Sequence, residues 1–298
     1  MILLFLVIKK QLFISLNFII KVKTNILGIN YNYFEEIAVW MFVFKVLDYI
    51  NTIAPFSTAQ DFDNVGLLIG DLHSDFNRCI VCLDVTRNVF KQAVEEKANL
   101  IISHHPVIFN GLKAILKKDL LYDILKTKIS IISAHTNLDV AQFGVSFNLA
   151  QAIELLDVQI LEESMNFGRI GNLKKELECD EFIKHVSKKL KTTVKAVKSS
   201  KKIKRVAVVS GSGYFALKAA IKKGADALVT GESKHDILVE AFEKNFCFVD
   251  ASHFATEVVI TLPLVDILNK KFKDDEVVFF AAKEQNPCCY AFGEKIWG

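Results

Sequence analysis

The stretch Asn99-Leu-Ile-Ile-Ser-His-His-Pro106 constrains this chain most. Four apolar or small residues in a row read as a buried strand, and the proline after the two histidines ends it. The pattern recurs as Ile129-Ser-Ile-Ile-Ser-Ala-His-Thr-Asn-Leu-Asp139, and again as Cys247-Phe-Val-Asp-Ala-Ser-His-Phe-Ala-Thr-Glu257. Each time a strand runs into serine and histidine, close to a carboxylate or a second histidine. The three strand ends read as parts of one metal site.

The rest of the chain supplies the frame for such a site. Phe42–Ile53 carries Val43, Val46, Leu47 and Ile50 at helical spacing, and Pro55 closes that helix. Gln60 to Gly70 is a polar loop entering a short apolar run. Strands are expected at Arg78–Leu83, Leu100–Ser103 and Ile129–Ser133, with helices at Asn88–Glu96, Leu120–Thr127 and Val145–Leu156. Asp180–Leu190 reads as an amphipathic helix. Strand Arg205–Ser210 then enters Gly211-Ser-Gly213 and helix Tyr214–Lys223. Strand Ala225–Thr230 enters Gly231-Glu-Ser-Lys-His-Asp236 and helix Ile237–Asn245. A last strand is expected at Glu276–Ala282. Strand and helix alternate in both halves, which argues an α/β fold of two lobes with largely parallel sheets. In such sheets ligands gather beyond the carboxyl ends of the strands, where the histidine motifs fall.

Composition narrows the function. Hydrophobic residues make up 51% of 298, enough for a sizeable core. The net charge is +3, from 37 basic and 34 acidic residues. That near-balance argues against a dedicated nucleic-acid binder. The six cysteines have no framework spacing, which suits reduced thiols in a cytoplasmic protein. Cys79 and Cys82 lie three apart inside a strand, where they point to opposite faces and belong to the core.

Residues 1–40 differ from the remainder of the chain. Their apolar runs, Ile2–Ile8 and Leu12–Ile20, fall short of the roughly 18–20 residues a membrane span needs. Lysines follow each run, Lys9-Lys10 the first and Lys21 and Lys23 the second, and no small-residue cleavage site is clear, unlike a signal peptide. A non-essential extension upstream of Met41 is expected, and no membrane association; a membrane-surface anchor is the rival reading.

At a strand end, the side chains of His104 and His105 are expected to diverge, toward two metals or toward one metal and a substrate. Asp139, four residues beyond His135, could bridge two cations. His253 and Glu257 are four apart and share a face if the segment is helical. Imidazole and carboxylate donors together suit zinc, iron or manganese. Five of the seven histidines (His104, His105, His135, His235 and His253) fall at expected strand ends, which strengthens the combined reading. The turn Gly211-Ser-Gly213 is either a tight turn or a backbone cradle for an anion such as phosphate.

These motifs, with Asp63-Asn-Val-Gly66 ahead of them and in this order, resemble the Nif-three-like family, also labelled GTP cyclohydrolase I type 2 homologues. The resemblance covers Met41 to about Trp297. It implies two α/β lobes, approximately 41–135 plus 258–298 and 136–257, with a metal cleft between them, and a ring-shaped homohexamer. It implies two divalent ions held by His104, His105, Asp139, His253 and Glu257. His135 would stand close by for proton transfer or substrate contact. Asp63, Glu232 and His235 would line the cleft, with Gly211 and Gly213 beside a nucleotide-like ligand. Asp236 departs from the pattern, since many relatives carry a second histidine there. The implied activity is metal-dependent hydrolysis with metal-activated water. The alternative is a non-catalytic scaffold that holds or delivers a metal or cofactor, or a regulatory interaction protein.

Overall fold

The computed structural model describes residues 41–298 except Met165, Gly293, Glu294 and Gly298, and side chains through residue 291. All of these belong to the unit Trp40–Gly298. The expectations for residues 1–40 lie outside the described residues.

In chain order, β1 (Met41–Phe42) leads into α1 (Val43–Ile53), β2 (Gly66–Ile69), β3 (Asp75–Phe76), β4 (Arg78–Cys82), α2 (Arg87–Glu95) and β5 (Leu100–Ser103). Then come α3 (Leu120–Leu125), β6 (Ser130–Ser133), α4 (Thr136–Val140) and α5 (Val145–Ala152). The second half holds β7 (Leu156–Glu162), β8 (Phe167–Leu177), α6 (Cys179–Leu190), β9 (Lys195–Val197), β10 (Ile203–Val209), α7 (Leu217–Lys222), β11 (Ala227–Thr230), α8 (His235–Glu243), β12 (Cys247–Asp250) and α9 (His253–Glu257). Helix α10 (Thr261–Lys271) and β13 (Val278–Ala281) come next, and β14 (Tyr290–Phe292) and β15 (Lys295–Trp297) form a separate hairpin.

The first sheet runs β13-β4-β5-β6-β2. Every pairing in it is parallel except β6 with β2. Strand alternation sorts its side chains. Cys79, Val81, Leu100, Ile102 and Ile132 pack with Val46 and Ile50 of α1 and Leu264 and Leu268 of α10. Ile80, Cys82, Ile101 and Ile131 pack on the other face with Val89 and Ala93 of α2 and Ile124 of α3. Both faces are covered, which is why these strands read as continuous apolar runs. Cys79 and Cys82 lie in opposite core layers, as their spacing predicts. Burying each aliphatic side chain here is worth roughly 1.5–3 kcal/mol relative to exposure.

The second sheet runs β7-β8-β10-β11-β12-β9. Only its centre, β10-β11-β12, is parallel; β7, β8 and β9 are antiparallel to their neighbours. The β7–β8 hairpin is absent from the expected elements, and α5 stops at Ala152 rather than Leu156. Strand β7 does alternate Leu156, Val158 and Ile160 with Asp157 and Gln159, but Leu149, Ile153 and Leu156 also fall at helical spacing, which carries the expected helix past its end. After Gly211-Ser-Gly213 the chain makes a short 3-10 turn, Gly213–Ala216, before α7. No helix among the described residues is long and apolar enough to cross a membrane.

The parallel strands β4, β5, β6, β10, β11 and β12 all end in loops that carry polar residues. Their carboxyl ends position the site.

Candidate metal centre

Strand β5 ends at Ser103, and its hydroxyl donates to the His105 carbonyl at 2.8 Å, turning the chain out of the sheet. The amides of His104 and His105 both donate back toward the β4 strand end, to Cys82 O at 3.0 Å and Leu83 O at 2.9 Å. Consecutive amides that face the same neighbour have left the alternation of a strand. The two imidazoles therefore do not diverge as expected: their ring centroids lie 5.0 Å apart. His135, at the end of β6, adds a third ring, 5.1 Å from His104 and 5.4 Å from His105.

The second sheet supplies the remainder. Strand β12 ends at Asp250, and Ser252 adopts a positive φ of 66° with ψ 147°, a conformation costly for a non-glycine residue. This bend starts the single turn α9, which places His253 and Glu257 on one face as their spacing predicts. Glu257 is 3% exposed. Its Oε2 accepts from His105 Nε2 at 2.9 Å and His253 Nε2 at 2.8 Å, and stands 3.9 Å from His104 Nε2. Asp139 Oδ1 is 3.7 Å from the same His104 Nε2 and accepts from Ser210 Oγ at 3.2 Å. Glu257 thus occupies the shared position expected of Asp139. Glutamate is longer and comes from the facing sheet, so its oxygen reaches the centre, whereas Asp139 is held at the side by Ser210.

Three overlapping triads arise, each with ligand atoms within 4.8 Å of one another: His104, His105 and His135; His105, His253 and Glu257; and His104, Asp139 and Glu257. His104 is 2% exposed. Its Nδ1 is bonded to Ala134 O at 2.9 Å, while its buried Nε2 has no hydrogen-bond partner. An orphaned polar atom in such a place costs free energy unless something binds it. It faces two carboxylates, the arrangement a cation completes. Imidazole nitrogens and carboxylate oxygens in this mixture match first-row transition metals.

The electrostatics divide the imidazoles. Burial pushes His104 down to about 3. Burial also disfavours charge on His105, but hydrogen bonds to Asp84 and Glu257 outweigh it and raise its pKa to about 10. His253 is likewise raised, to about 9, by Glu257 and Glu232 against burial. Burial works against the Glu257 charge, yet the bonds from His105 and His253 hold its carboxyl well below the usual range. Burial and the Glu257 charge push Asp139 up.

Around the centre, carboxylates orient three of the rings. Asp63 Oδ1 accepts from His135 Nδ1 at 2.9 Å, and its Oδ2 accepts from Thr136 N at 3.0 Å and Thr136 Oγ1 at 2.5 Å. Against burial, these bonds hold Asp63 well below the ordinary carboxylate range. Glu232 Oε1 binds His253 Nδ1 at 2.8 Å, and its other oxygen accepts from Ser212. Asp84 Oδ1 binds His105 Nδ1 at 2.8 Å. Asp84 and Ser210 are not among the residues singled out in the sequence. Their only signal there is position, one residue or two past the end of a strand.

The glycine turn resolves toward structure. Gly211 has φ +58°, and a Cβ on it would collide with Glu257 Oε1. The amides of Gly211 and Gly213 already donate to Thr256 Oγ1 and Thr230 Oγ1, at 3.2 and 2.9 Å. The turn lets Glu257 approach, and the amides of both glycines are spent inside the fold. His235 is exposed at the first turn of α8 and belongs to none of the three triads. Departure at Asp236, beside it, therefore touches none of the grouped donors.

A cavity of about 470 Å³ opens beside the cluster, of a size that suits a small-molecule ligand. His135, Asp139, His253 and Glu257 line it, with Ser210, Ser212, Phe62, Phe167 and Phe215. The Phe167 and Phe215 rings meet edge to face at 5.2 Å, and Phe62 lies 6.3 Å from Phe109.

Known proteins share this outline. A family model described as Duf34/NIF3 (NGG1p interacting factor 3) matches residues 41–287. A GTP cyclohydrolase 1 type 2 homolog of Clostridium acetobutylicum is 32% identical over 244 residues, 77% of this chain and 90% of that protein. GTP cyclohydrolase 1 type 2 of Helicobacter pylori J99 is 32% identical over 230 residues, 76% of this chain and 90% of its own length. The crystal structure of Staphylococcus aureus protein SA1388 superposes with a TM-score of 0.80 at 26% identity, covering 84% of this chain and 99% of that one.

Proposed function

This chain belongs to the Duf34/NIF3 family, and on that premise we propose that its histidine–carboxylate cluster holds two divalent metal ions and hydrolyses a nucleotide-like substrate. The observation that carries the reading is the buried, partnerless Nε2 of His104, aimed at Asp139 and Glu257. His104 with Asp139, and His105 with His253, would hold one ion each, and Glu257 would serve both. Zinc, iron and manganese all suit these donors. When bound, such ions supply Lewis acidity and lower the pKa of water at neutral pH.

The protein's own groups would do the rest. Asp63 fixes His135 with Nδ1 occupied, leaving Nε2 free to take or return a proton at the cavity. The three phenylalanines give a flat ring an apolar wall, and Ser210 and Ser212, whose hydroxyls donate to Asp139 and Glu232, offer acceptor oxygens to its polar edge. The name borne by the Helicobacter relative supports a purine-nucleotide-like substrate, and the phenylalanine-lined cavity fits the base of such a molecule. A homohexamer, as the family resemblance implies, and a cytoplasmic location, which the cysteine pattern suits, are part of the same proposal.

The test is elemental analysis of purified protein, followed by turnover of a nucleotide panel with zinc, manganese or iron added. Two ions per chain and metal-dependent release of product support the reading. A ratio near zero under metal-replete conditions overturns it. Two ions with no turnover across the panel, and a ligand that co-purifies, would favour a metal- or cofactor-holding scaffold instead.

A further inference from the structure

A fourth segment, remote from every sequence motif, reaches the cluster from behind. After β13, Ala282 N donates to Val81 O at 2.8 Å, carrying the chain alongside the end of β4. The next residues are tied down individually. Lys283 N donates to Gln92 Oε1 at 2.9 Å, and Lys283 O accepts from Gln92 Nε2 at 3.0 Å. The half-buried Glu284 then turns inward. Its Oε2 accepts from Leu83 N at 2.8 Å and its Oε1 from Asp84 N at 3.0 Å, so one carboxylate grips two successive amides.

Those amides belong to the turn that holds His105 on its other side. Leu83 O accepts from His105 N at 2.9 Å, and Asp84 Oδ1 binds His105 Nδ1 at 2.8 Å. The Leu83–Asp84 turn is therefore fixed between Glu284 and His105. Asp84 fixes the ring's rotation and keeps the proton on Nδ1; Glu284 fixes Asp84. Such support behind a ligating imidazole sets how well its other nitrogen is presented.

We propose that Glu284 is a positioning residue of the metal centre, acting through Asp84 to aim His105 Nε2 at the position it shares with Glu257 and His253. The C-terminal segment is thus part of the site, 200 residues in sequence from the turn it holds. The inference rests on the metal reading above but concerns a different question: whether ring orientation is set from the C-terminal side.

Cobalt(II) titration of the full chain tests it, read by dissociation constants and by the visible absorption of the bound ion. Nitrogen-15 NMR of the His105 ring in metal-free protein reads the hydrogen bond at Nδ1 independently. Asp84→Asn is expected to weaken one of the two cobalt ions by roughly 10–100-fold and to change its spectrum. Glu284→Gln, nearly isosteric, should weaken the same ion by a smaller factor and shift the His105 ring resonances. The double variant should be no weaker than Asp84→Asn alone, because both act along one path. Gln92→Ala loosens the neighbouring tie without touching Asp84, and should leave cobalt binding and His105 as in the wild type. The proposal is overturned if Glu284→Gln keeps wild-type cobalt affinity and His105 resonances. It is also overturned if the two variants add, or if Gln92→Ala has the same effect as Glu284→Gln. Should wild-type protein take up no cobalt, the metal reading fails, while the His105 resonances still decide this one.

Discussion

The two halves of the cluster are built on opposite electrostatic plans. His104 is sealed in the first sheet's strand ends and backed by a neutral backbone carbonyl, Ala134 O. Burial keeps it uncharged, with a pKa near 3. His105 and His253 are backed by carboxylates, Asp84 and Glu232, and both also touch Glu257. Their pKa values rise to about 10 and 9. One half presents a donor nitrogen that is bare at any ordinary pH; the other keeps its donors capped by protons that a cation would have to displace. The same residue type, at strand ends in both cases, is driven in opposite directions by whether its partner carries charge.

The largest test of this comparison removes what the halves share. Glu257→Gln should take the metal-to-chain ratio from near two to near zero, since both triads with a carboxylate lose their common negative charge. Elemental analysis checks it. A ratio that stays near one would show that one half stands without Glu257.

The next test separates the halves. His104→Ala and His253→Ala should each lose one ion and keep the other, a fall from near two to near one in the same assay. If either substitution empties the site, the two positions are coupled rather than merely adjacent.

The pH dependence comes from the directions of the shifts. In the metal-free protein His105 and His253 sit above their ordinary value of 6.5, so they bind protons more tightly folded than unfolded. The stability they contribute is fully present below about pH 6.5 and is lost as pH rises through about 9 to 10. Metal must expel those protons, so affinity at the His105–His253 position should climb with pH until about 9 to 10 and then level. At pH 7 uptake there should release about two protons, one per imidazole, whereas the His104 position should release none from its histidine. Calorimetry in buffers of different ionisation heat reads this directly. Equal proton release at both positions would dissolve the contrast.

A smaller effect is expected outside the two halves. Asp63→Asn removes the charge behind His135 without touching a ligand of either triad that contains Glu257. Metal content should stay near wild type, and turnover, where a substrate is found, should fall by roughly 10²-fold or more if His135 moves a proton. Loss of metal instead would make His135 a ligand. The smallest is Gly211→Ala. Its left-handed backbone and the crowding of Glu257 should lower stability by roughly 1–3 kcal/mol, read as a lower melting temperature.

Much of this arrangement was legible along the chain because it is carried by local patterns. Continuous apolar runs marked β5 and β6, the alternation of strand and helix marked the class, and the spacing of His253 and Glu257 marked a shared helical face. What escaped was set at a distance. Strand β7 alternates apolar and polar residues over Leu156–Ile160, but Leu156 also continues the helical spacing of Leu149 and Ile153, and only pairing with β8 separates the two. His235 comes after a buried strand by the same grammar as His253 but starts an exposed helix. No local signal distinguishes them, because the difference lies in which way the loop after the strand turns.

By itself the sequence determined which segments are buried strands, that histidines and carboxylates crowd their ends, and so the kind of chemistry the chain can support. These depend on hydrophobic periodicity and donor type, which a residue carries with it. Only the tertiary structure decided that Glu257 rather than Asp139 takes the shared position. It also decided that two rings are held as proton carriers and one as a bare donor, and that Glu284 braces the centre from the far end of the chain. Those outcomes depend on distances between groups on different sheets, and on the burial and charge each meets there.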